Sequence, residues 1–172
     1  METEVLFRET QRFRQWWLWL ILLIAFFVPV YNSVQKGKLH HFSFPQYFNF
    51  DNLIVFIVPV LAIALLLSCR LDTEITAENI RVRLFPFHLK FKTFSAKTIG
   101  LAYVREYNPL LEYGGWGLRL GLFGKGKAYN IAGNQGIQLV FKDGSKLLIG
   151  TQKPDEASAA LQKGGYLKAE VY

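Results

Sequence analysis

One glycine-rich segment has a spacing that could hold a phosphate, residues 121–127 (GLFGKGK). A phosphate-binding loop needs a Ser or Thr after its lysine and a helix whose N-terminus faces the phosphate. Here Ala128 follows Lys127, and the next residues have the pattern of a strand. The segment therefore does not predict a nucleotide-binding loop.

The ionisable side chains form no catalytic or metal-binding pattern. His40 and His41 are adjacent, so their rings point apart in a regular backbone, and His88 lies far from them in the sequence. Glu106 and Glu112 have no visible sequence partner that would tune them for acid–base chemistry. We therefore predict no catalytic residue, no metal ion and no cofactor, and we favour a protein that is not an enzyme.

Composition limits the kinds of structure and of binding partner that remain possible. The single cysteine, Cys69, rules out an internal disulfide and a cysteine zinc cluster. Lys and Arg number 20 against 13 Asp and Glu, and most of the resulting charge of +7 lies after Cys69. Such an excess favours an anionic partner such as lipid headgroups, and beside a membrane anchor we do not expect nucleic acid.

Two apolar runs precede this basic region, residues 16–31 (WWLWLILLIAFFVPVY) and 53–69 (LIVFIVPVLAIALLLSC). Neither has the polar stripe of an ordinary surface helix, and tryptophans open the first run, as is typical at a headgroup layer. A bilayer core needs about 20 apolar residues, so each run reaches a span only with its flanks. The sequence predicts a transmembrane hairpin over residues 16–70, preceded by an amphipathic lead-in over 1–15. The alternatives are a pair of buried core helices or, for the first run, a cleaved signal peptide.

Positive charges around these runs predict the topology. Arg8, Arg12 and Arg14 precede the first run and further arginines follow the second, whereas the connector has only Lys36 and Lys38. By the positive-inside rule, both termini would lie in the cytoplasm. The expected location is the inner cell membrane, as a multi-pass protein.

After Arg70 the hydrophobic period changes from that of a helix to that of strands. Short alternating segments predict a mainly antiparallel β domain over residues 71–172, in which 127–131 pairs with 136–142. The sequence Asp-Gly that follows is a strong hairpin signal. An N-terminal proline, two acids and two closing glycines predict a final helix over about 154–163.

The run YNPLLEYGGWGLR, continued by GKAYNIAGNQGIQLVFKDGSKLLIGTQKPDEASAAL, resembles membrane-anchored bacterial proteins with two helices ahead of a pleckstrin-homology-like (PH-like) domain. The resemblance implies an α+β membrane protein in which a two-helix transmembrane hairpin precedes a PH-like β barrel capped by a C-terminal helix. It implies no activity. It rests most strongly on Tyr113, Gly114, Gly115, Trp116, Gly117, Arg119, Tyr129, Asn130, Gly133, Gly136 and residues 149–152.

Basic residues provide the first candidate binding surface. Arg81 and Arg83, and likewise Lys90 and Lys92, recur at i and i+2 on neighbouring segments. A hairpin over residues 80–94 would gather these four charges into a lipid-facing patch, with a merely solvated strand face as the alternative.

The second candidate surface is residues 113–119. Trp116 lies among glycines that offer little side chain to bury it, and Arg119 could stack on its ring or bind a carboxylate or phosphate. Tyr113, Trp116 and Arg119 are therefore candidate partner-binding residues. The alternative is that Trp116 fills the core while the glycines permit a bulge.

Together these features favour a membrane-tethered PH-like binding or scaffold module that contacts anionic lipid headgroups or a protein partner at the cytoplasmic membrane face. The alternative is an accessory subunit or small enzyme of an envelope lipid pathway. An enzyme would need a water-shielded cleft with convergent polar groups, for which the candidates are Glu106, Glu112, Arg119 and His88.

Overall fold

A computed structural model describes residues 4–13, 16–35, 50–121 and 124–167. The chain divides into two compact units. The larger unit comprises Met1–Phe13 and Cys69–Tyr172, and the smaller unit, Arg14–Ser68, is inserted between these two parts of the sequence. Most of the connector between the apolar runs, with His40, His41, Lys36 and Lys38, lies outside the described residues, as does Arg14.

The smaller unit contains two helices that contact each other, α1 (Trp16–Gln35) and α2 (Phe50–Ser68). Within the described residues, no helix is long and apolar enough to cross a membrane. The predicted transmembrane hairpin and the multi-pass inner-membrane location are therefore wrong. The physical reason is length, because a span needs about 20 apolar residues. Here α1 ends in the polar sequence NSVQ, and α2 includes Asp51 and Asn52 in its first turn.

The larger unit begins with an antiparallel sheet of four strands. Its order is β1 (Val5–Arg12), β2 (Arg70–Thr76), β3 (Asn79–Phe85) and β4 (Lys92–Ser95). Strand β1 comes from the segment that the sequence suggested was an amphipathic lead-in. Its residues alternate between buried and exposed, and it pairs with β2 at one edge of this sheet.

The second sheet has five strands and continues the chain after a turn at residues 96–98. Its order is β5 (Ile99–Glu106), β8 (Gln135–Phe141), β9 (Lys146–Gly150), β7 (Lys127–Asn130) and β6 (Gly117–Leu120). All neighbours are antiparallel except β7 and β9, which are parallel. The expected pairing of 127–131 with 136–142 is therefore wrong, because β9 lies between these two segments.

Two helices complete the larger unit, α3 (Pro109–Tyr113) and α4 (Pro154–Lys163). Helix α4 spans the residues for which it was predicted, with Pro154 in its first turn and acids beside it. It contacts strands of both sheets. Ala157, Ala160 and Leu161 on its buried face belong to one apolar core with residues of β2, β3, β5, β8 and β9.

The predicted PH-like barrel is also wrong, because the two sheets are not closed into a barrel. In the described residues each sheet has its own ladder, and β4 and β5 follow one another without pairing. The observed architecture is α+β, with two open sheets and α4 sharing one core.

Buried polar groups attach β1 to the rest of the larger unit. The Glu9 carboxylate accepts hydrogen bonds from Thr151 Oγ1 at 2.7 Å and from the backbone N–H of Gln152 at 2.8 Å. Gln11 Nε2 donates to the carbonyl of Gly150 at 2.6 Å. Beside them, Phe7 is 4% exposed. Strand β1 therefore holds the end of β9 as well as its partner β2.

We predict that the larger unit folds without the helices but not without β1. Arg12 lies opposite Arg70 in the ladder, so the strand ends that flank the insertion are about 5 Å apart, and a short hairpin loop can replace residues 14–68. The shortened chain should unfold cooperatively on heating. Residues 69–172 alone lose the buried side chains and ladder of β1, which costs about 5 kcal/mol or more, so they should be largely unfolded by circular dichroism. Equal melting temperatures for the shortened chain and for residues 69–172 would show that β1 is peripheral.

Candidate interaction surface at the edge of the second sheet

The turn between α3 and β6 depends on glycine. Asn108 caps α3, its side-chain oxygen accepting from two backbone N–H groups of the first turn. The helix stops at Gly114, with φ of 69°, and Gly115 and Gly117 have φ of 121° and 112°. Other residues rarely adopt these angles, so the glycines around Trp116 set the path of the chain into β6.

Buried polar groups fix the end of this turn. The Asn130 side chain is fully buried; its Oδ1 accepts from the N–H of Gly117 at 3.0 Å, and its Nδ2 donates to the Tyr107 hydroxyl at 3.0 Å. Tyr107 packs edge-on against Tyr113, with ring centroids 5.9 Å apart. Burial raises the pKa of both tyrosine hydroxyls, so neither ionises near neutral pH. The turn is thus held on a rigid base.

A cluster around Glu112 attaches α3 to two further elements. Its carboxylate accepts from Arg105 Nη2 at 2.8 Å, from the N–H of Asn108 at 2.9 Å and from Lys125 Nζ at 3.2 Å. The Arg105 hydrogen bond is the main cause that lowers the pKa of Glu112 from 4.5 to about 2; the Asn108 and Lys125 bonds add to it, and burial opposes them. The carboxylate is therefore ionised at neutral pH, and its role is to link α3 to Arg105 and Lys125.

The three predicted partner-binding residues lie in different environments. Tyr113 is 2% exposed and belongs to a small core cluster, so its side chain is not a contact surface. Trp116 is half-buried, and its Nε1 donates to the carbonyl of Gly133 at 3.1 Å. Arg119 is exposed, and its Nε donates to the carbonyl of Trp116 at 2.9 Å. Trp116 and Arg119 are thus brought together through the backbone.

Four exposed leucines flank this turn, and we call them the leucine edge. They are Leu110 (62% exposed) and Leu111 (75%) on α3, and Leu118 (45%) and Leu120 (73%) on β6. In the described part of the chain, β6 forms a ladder with β7 alone and is the last strand of its sheet. These leucines were not among the predicted site residues, although the sequence shows their pattern: a pair after Asn-Pro and an alternating pair in a glycine-rich segment.

A groove of about 400 Å³ lies beside the leucine edge, and it tests the enzyme alternative. Glu106, Glu112 and Trp116 line it. Glu112 is occupied by its donors, and Glu106 accepts from Asn134 Nδ2 at 2.6 Å. Since both carboxylates serve as hydrogen-bond acceptors within the fold, neither is placed as a free acid or base. Arg119 and His88 are not among the residues that line this groove.

The predicted basic patch does not form on one face. Arg81 bonds to Glu74, and Arg83 bonds to Asp72 at 2.7 Å, on the outer face of the first sheet. Lys92 lies opposite the buried Val82, on the other face.

The fourth predicted member, Lys90, lies in an exposed bend ahead of β4. The two arginine guanidinium groups also lie over the ring of Phe91. With its arginines paired to acids and its lysines elsewhere, the patch gives no support to lipid binding.

Comparison with known protein families and with curated proteins gives no match. The resemblance to membrane-anchored PH-like proteins is therefore wrong, since no family model matches and the residues that the structure describes contain no helix that could span a membrane. Among the residues described, no group of three or more His, Cys, Asp or Glu side chains is placed to hold a metal ion.

We predict that Glu112→Gln removes an acid-sensitive part of the stability. Because the pKa of Glu112 is about 2 in the folded protein against 4.5 unperturbed, its contribution is fully present above about pH 4.5 and is lost as pH falls toward 2. After solvent screening we expect a loss of about 1–2 kcal/mol at pH 7. Urea unfolding at pH 7, 4 and 3 measures it, and the difference between variant and parent should shrink with pH. A difference that does not change with pH would contradict the assignment.

We predict that Trp116→Ala leaves the larger unit folded. A half-buried indole should contribute about 1–2 kcal/mol, whereas a core tryptophan contributes about 3–5 kcal/mol. Thermal unfolding of the variant measures this, with Trp116→Phe as the control that keeps an aromatic ring but loses the N–H donor. Complete unfolding of the alanine variant would place Trp116 in the core.

Proposed function

We propose that the larger unit is a protein-interaction module whose strand β6 binds an extended segment of a partner protein by strand addition. The observation that supports this most directly is an edge strand with two exposed leucines at i and i+2. Leu118 and Leu120 point to the same side of the strand, where alternate side chains of an added strand would cover them.

The composition of β6 distinguishes it from a protected edge strand. Natural edge strands are usually blunted by charge, by proline or by a covering element. Strand β6 has one charge, Arg119, and no proline. Its four residues limit the added segment to a short one, so affinity must come largely from apolar contacts.

The rigid base of the turn favours binding. Gly117 at the start of β6 is held by the buried Asn130, and α3 is tied down by Glu112. A preorganised strand loses little conformational entropy when a partner pairs with it. The loss of conformational entropy on binding then occurs mainly in the partner segment.

Charge indicates the chemistry of that segment. The Arg119 Nε is used by the carbonyl of Trp116, and its two terminal nitrogens have no hydrogen-bond partner in the described residues. An acidic side chain opposite them could form a bidentate pair. The preferred segment therefore alternates apolar residues and contains at least one Asp or Glu. The role in an envelope lipid pathway stays a prediction without a supporting observation.

Selection from a displayed peptide library against the full chain tests this proposal. Selected peptides should alternate apolar residues and contain an acid. Leu120→Lys should weaken their binding at least tenfold in fluorescence polarisation, because burying a leucine contributes about 1.5–3 kcal/mol. Leu89→Lys is the matched control, since Leu89 is 74% exposed and lies outside the leucine edge; its effect should stay below twofold.

Two outcomes would overturn the proposal. The first is equal binding of the selected peptides to the parent and to Leu120→Lys. The second is a concentration-dependent dimer of the parent, seen by sedimentation, that Leu120→Lys converts to a monomer, since the edge would then be occupied by a second copy. Equal melting temperatures of the variants must accompany either comparison.

A further inference from the structure

A cleft of about 530 Å³ opens where β4 faces one end of the second sheet. It lies within the larger unit, and its walls come from β4, the ends of β7 and β9, the hairpin turn 143–145 and the glycine-rich segment around Gly124 and Gly126. This size is within the usual range for small-molecule sites. The proposed strand addition at β6 does not use this cleft.

Three lysines line the cleft against one acid. Lys92 Nζ donates to the Tyr129 hydroxyl at 3.1 Å, which directs its charge into the cleft. Within the described parts of the chain, Lys127 has no carboxylate partner, and it lies opposite the buried Leu147 in the β7–β9 ladder, which places its side chain on the cleft face. Lys146 precedes Leu147 in β9, so its side chain lies on the other face of the sheet. The acid is Asp143. The ammonium groups of Lys92 and Lys127, against this one acid, make the cleft attractive to an anion.

Asp143 is occupied by its own turn. Its Oδ1 accepts from the Ser145 hydroxyl at 2.7 Å and from the Ser145 N–H at 2.9 Å, and these bonds lower the pKa of Asp143. The carboxylate therefore stabilises the hairpin turn through hydrogen bonds to Ser145. The lysines are left for a ligand.

The base of the cleft is apolar and aromatic. Phe94 and Phe141 pack with ring centroids 5.4 Å apart, and Tyr129 and Leu147 are each 3% exposed beside them. Flat apolar groups stack well on such rings. The cleft thus combines a surface for a planar ring with a cationic rim, which an inorganic anion alone would not use.

His88 lies next to the cleft, where its ring packs edge-on against Tyr129, with centroids 5.2 Å apart. Burial, and then the charge of Lys92, lower the pKa of His88, so at neutral pH its imidazole is uncharged. The positive charge that faces a ligand therefore comes from the lysines.

We infer that this cleft binds a small aromatic anion, a planar ring that carries a phosphate or carboxylate group, with the ring on the Phe94–Phe141 base and the anion between Lys92 and Lys127. The glycines fit this assignment. Gly124 and Gly126 have φ of 75° and 81° and place backbone without side chains at the cleft wall. No bond is made or broken, and the ligand binds reversibly.

Calorimetric titration of the full chain tests the site with four probes. Adenosine 5′-monophosphate and 1-naphthoate each pair a planar ring with an anion, one as phosphate and the other as carboxylate. Adenosine has the ring alone, and inorganic phosphate the charge alone. At least one aromatic anion should bind at least tenfold more tightly than adenosine and phosphate, and which one does so identifies the anionic group.

Variants locate the binding. Lys92→Gln and Lys127→Gln should each weaken binding of the aromatic anion at least threefold, and Asp143→Asn should strengthen it, a gain that misfolding cannot mimic. Lys142→Gln is the matched control, because Lys142 is exposed next to the same turn and does not line the cleft. The inference is overturned if neither aromatic anion binds, if adenosine or phosphate binds as tightly, or if Lys92→Gln and Lys127→Gln have no more effect than Lys142→Gln.

Discussion

The antiparallel ladder between β1 and β2 is the constraint on which the larger unit depends. It joins two parts of the sequence that flank the helical insertion, with Arg12 opposite Arg70 where the chain leaves and returns. The inner face of β1 provides Phe7 to the shared core, and Glu9 binds the segment that leads from β9 into α4. Since α4 contacts both sheets, this one strand supports the position of each.

Charged groups in this unit fall into two kinds, those that are paired within the fold and those left for other molecules. On the outer face of the first sheet, Glu74 bonds to arginines of both neighbouring strands. In α3, the Glu112 carboxylate accepts from Arg105 of β5, from Lys125 and from the backbone N–H of Asn108. Burying such acids, wholly or in part, is tolerable only because each has several donors. The Lys127 ammonium group lacks such pairing in the described residues, and the leucine edge lacks an apolar cover. These unpaired groups, and not the strongest ion pairs, mark the surfaces on which binding is proposed.

Much of the local structure follows from sequence, and the errors have identifiable physical causes. The strand at Asn79–Phe85 has the alternation of a half-buried strand, and α4 has proline, acids and glycine at the right ends. Strand order is not contained in such patterns, so the parallel β7–β9 pair was missed. Apolar runs without a polar stripe were interpreted as membrane spans although their length was marginal. Strand β1 was missed because its partner lies beyond the insertion, where no local pattern points to it.

The candidate site, too, could be predicted only in part from the sequence. The glycines around Trp116 correctly indicated an unusual turn, but burial of Tyr113 depends on β7 and β9 side chains that the local sequence does not reveal. Whether Lys92 shares a face with Arg81 depends on the register between β3 and β4, which places Lys92 on the opposite face.

The hydrogen bond between Glu9 and Thr151 also has a consequence during synthesis, since 142 residues separate its partners in the sequence. A ribosome that adds about 5–20 residues per second needs about 7–28 seconds to deliver the second partner after the first. For that interval Glu9 lacks the two donors that it will finally bind, so this contact closes only after the strands of both sheets have been synthesised.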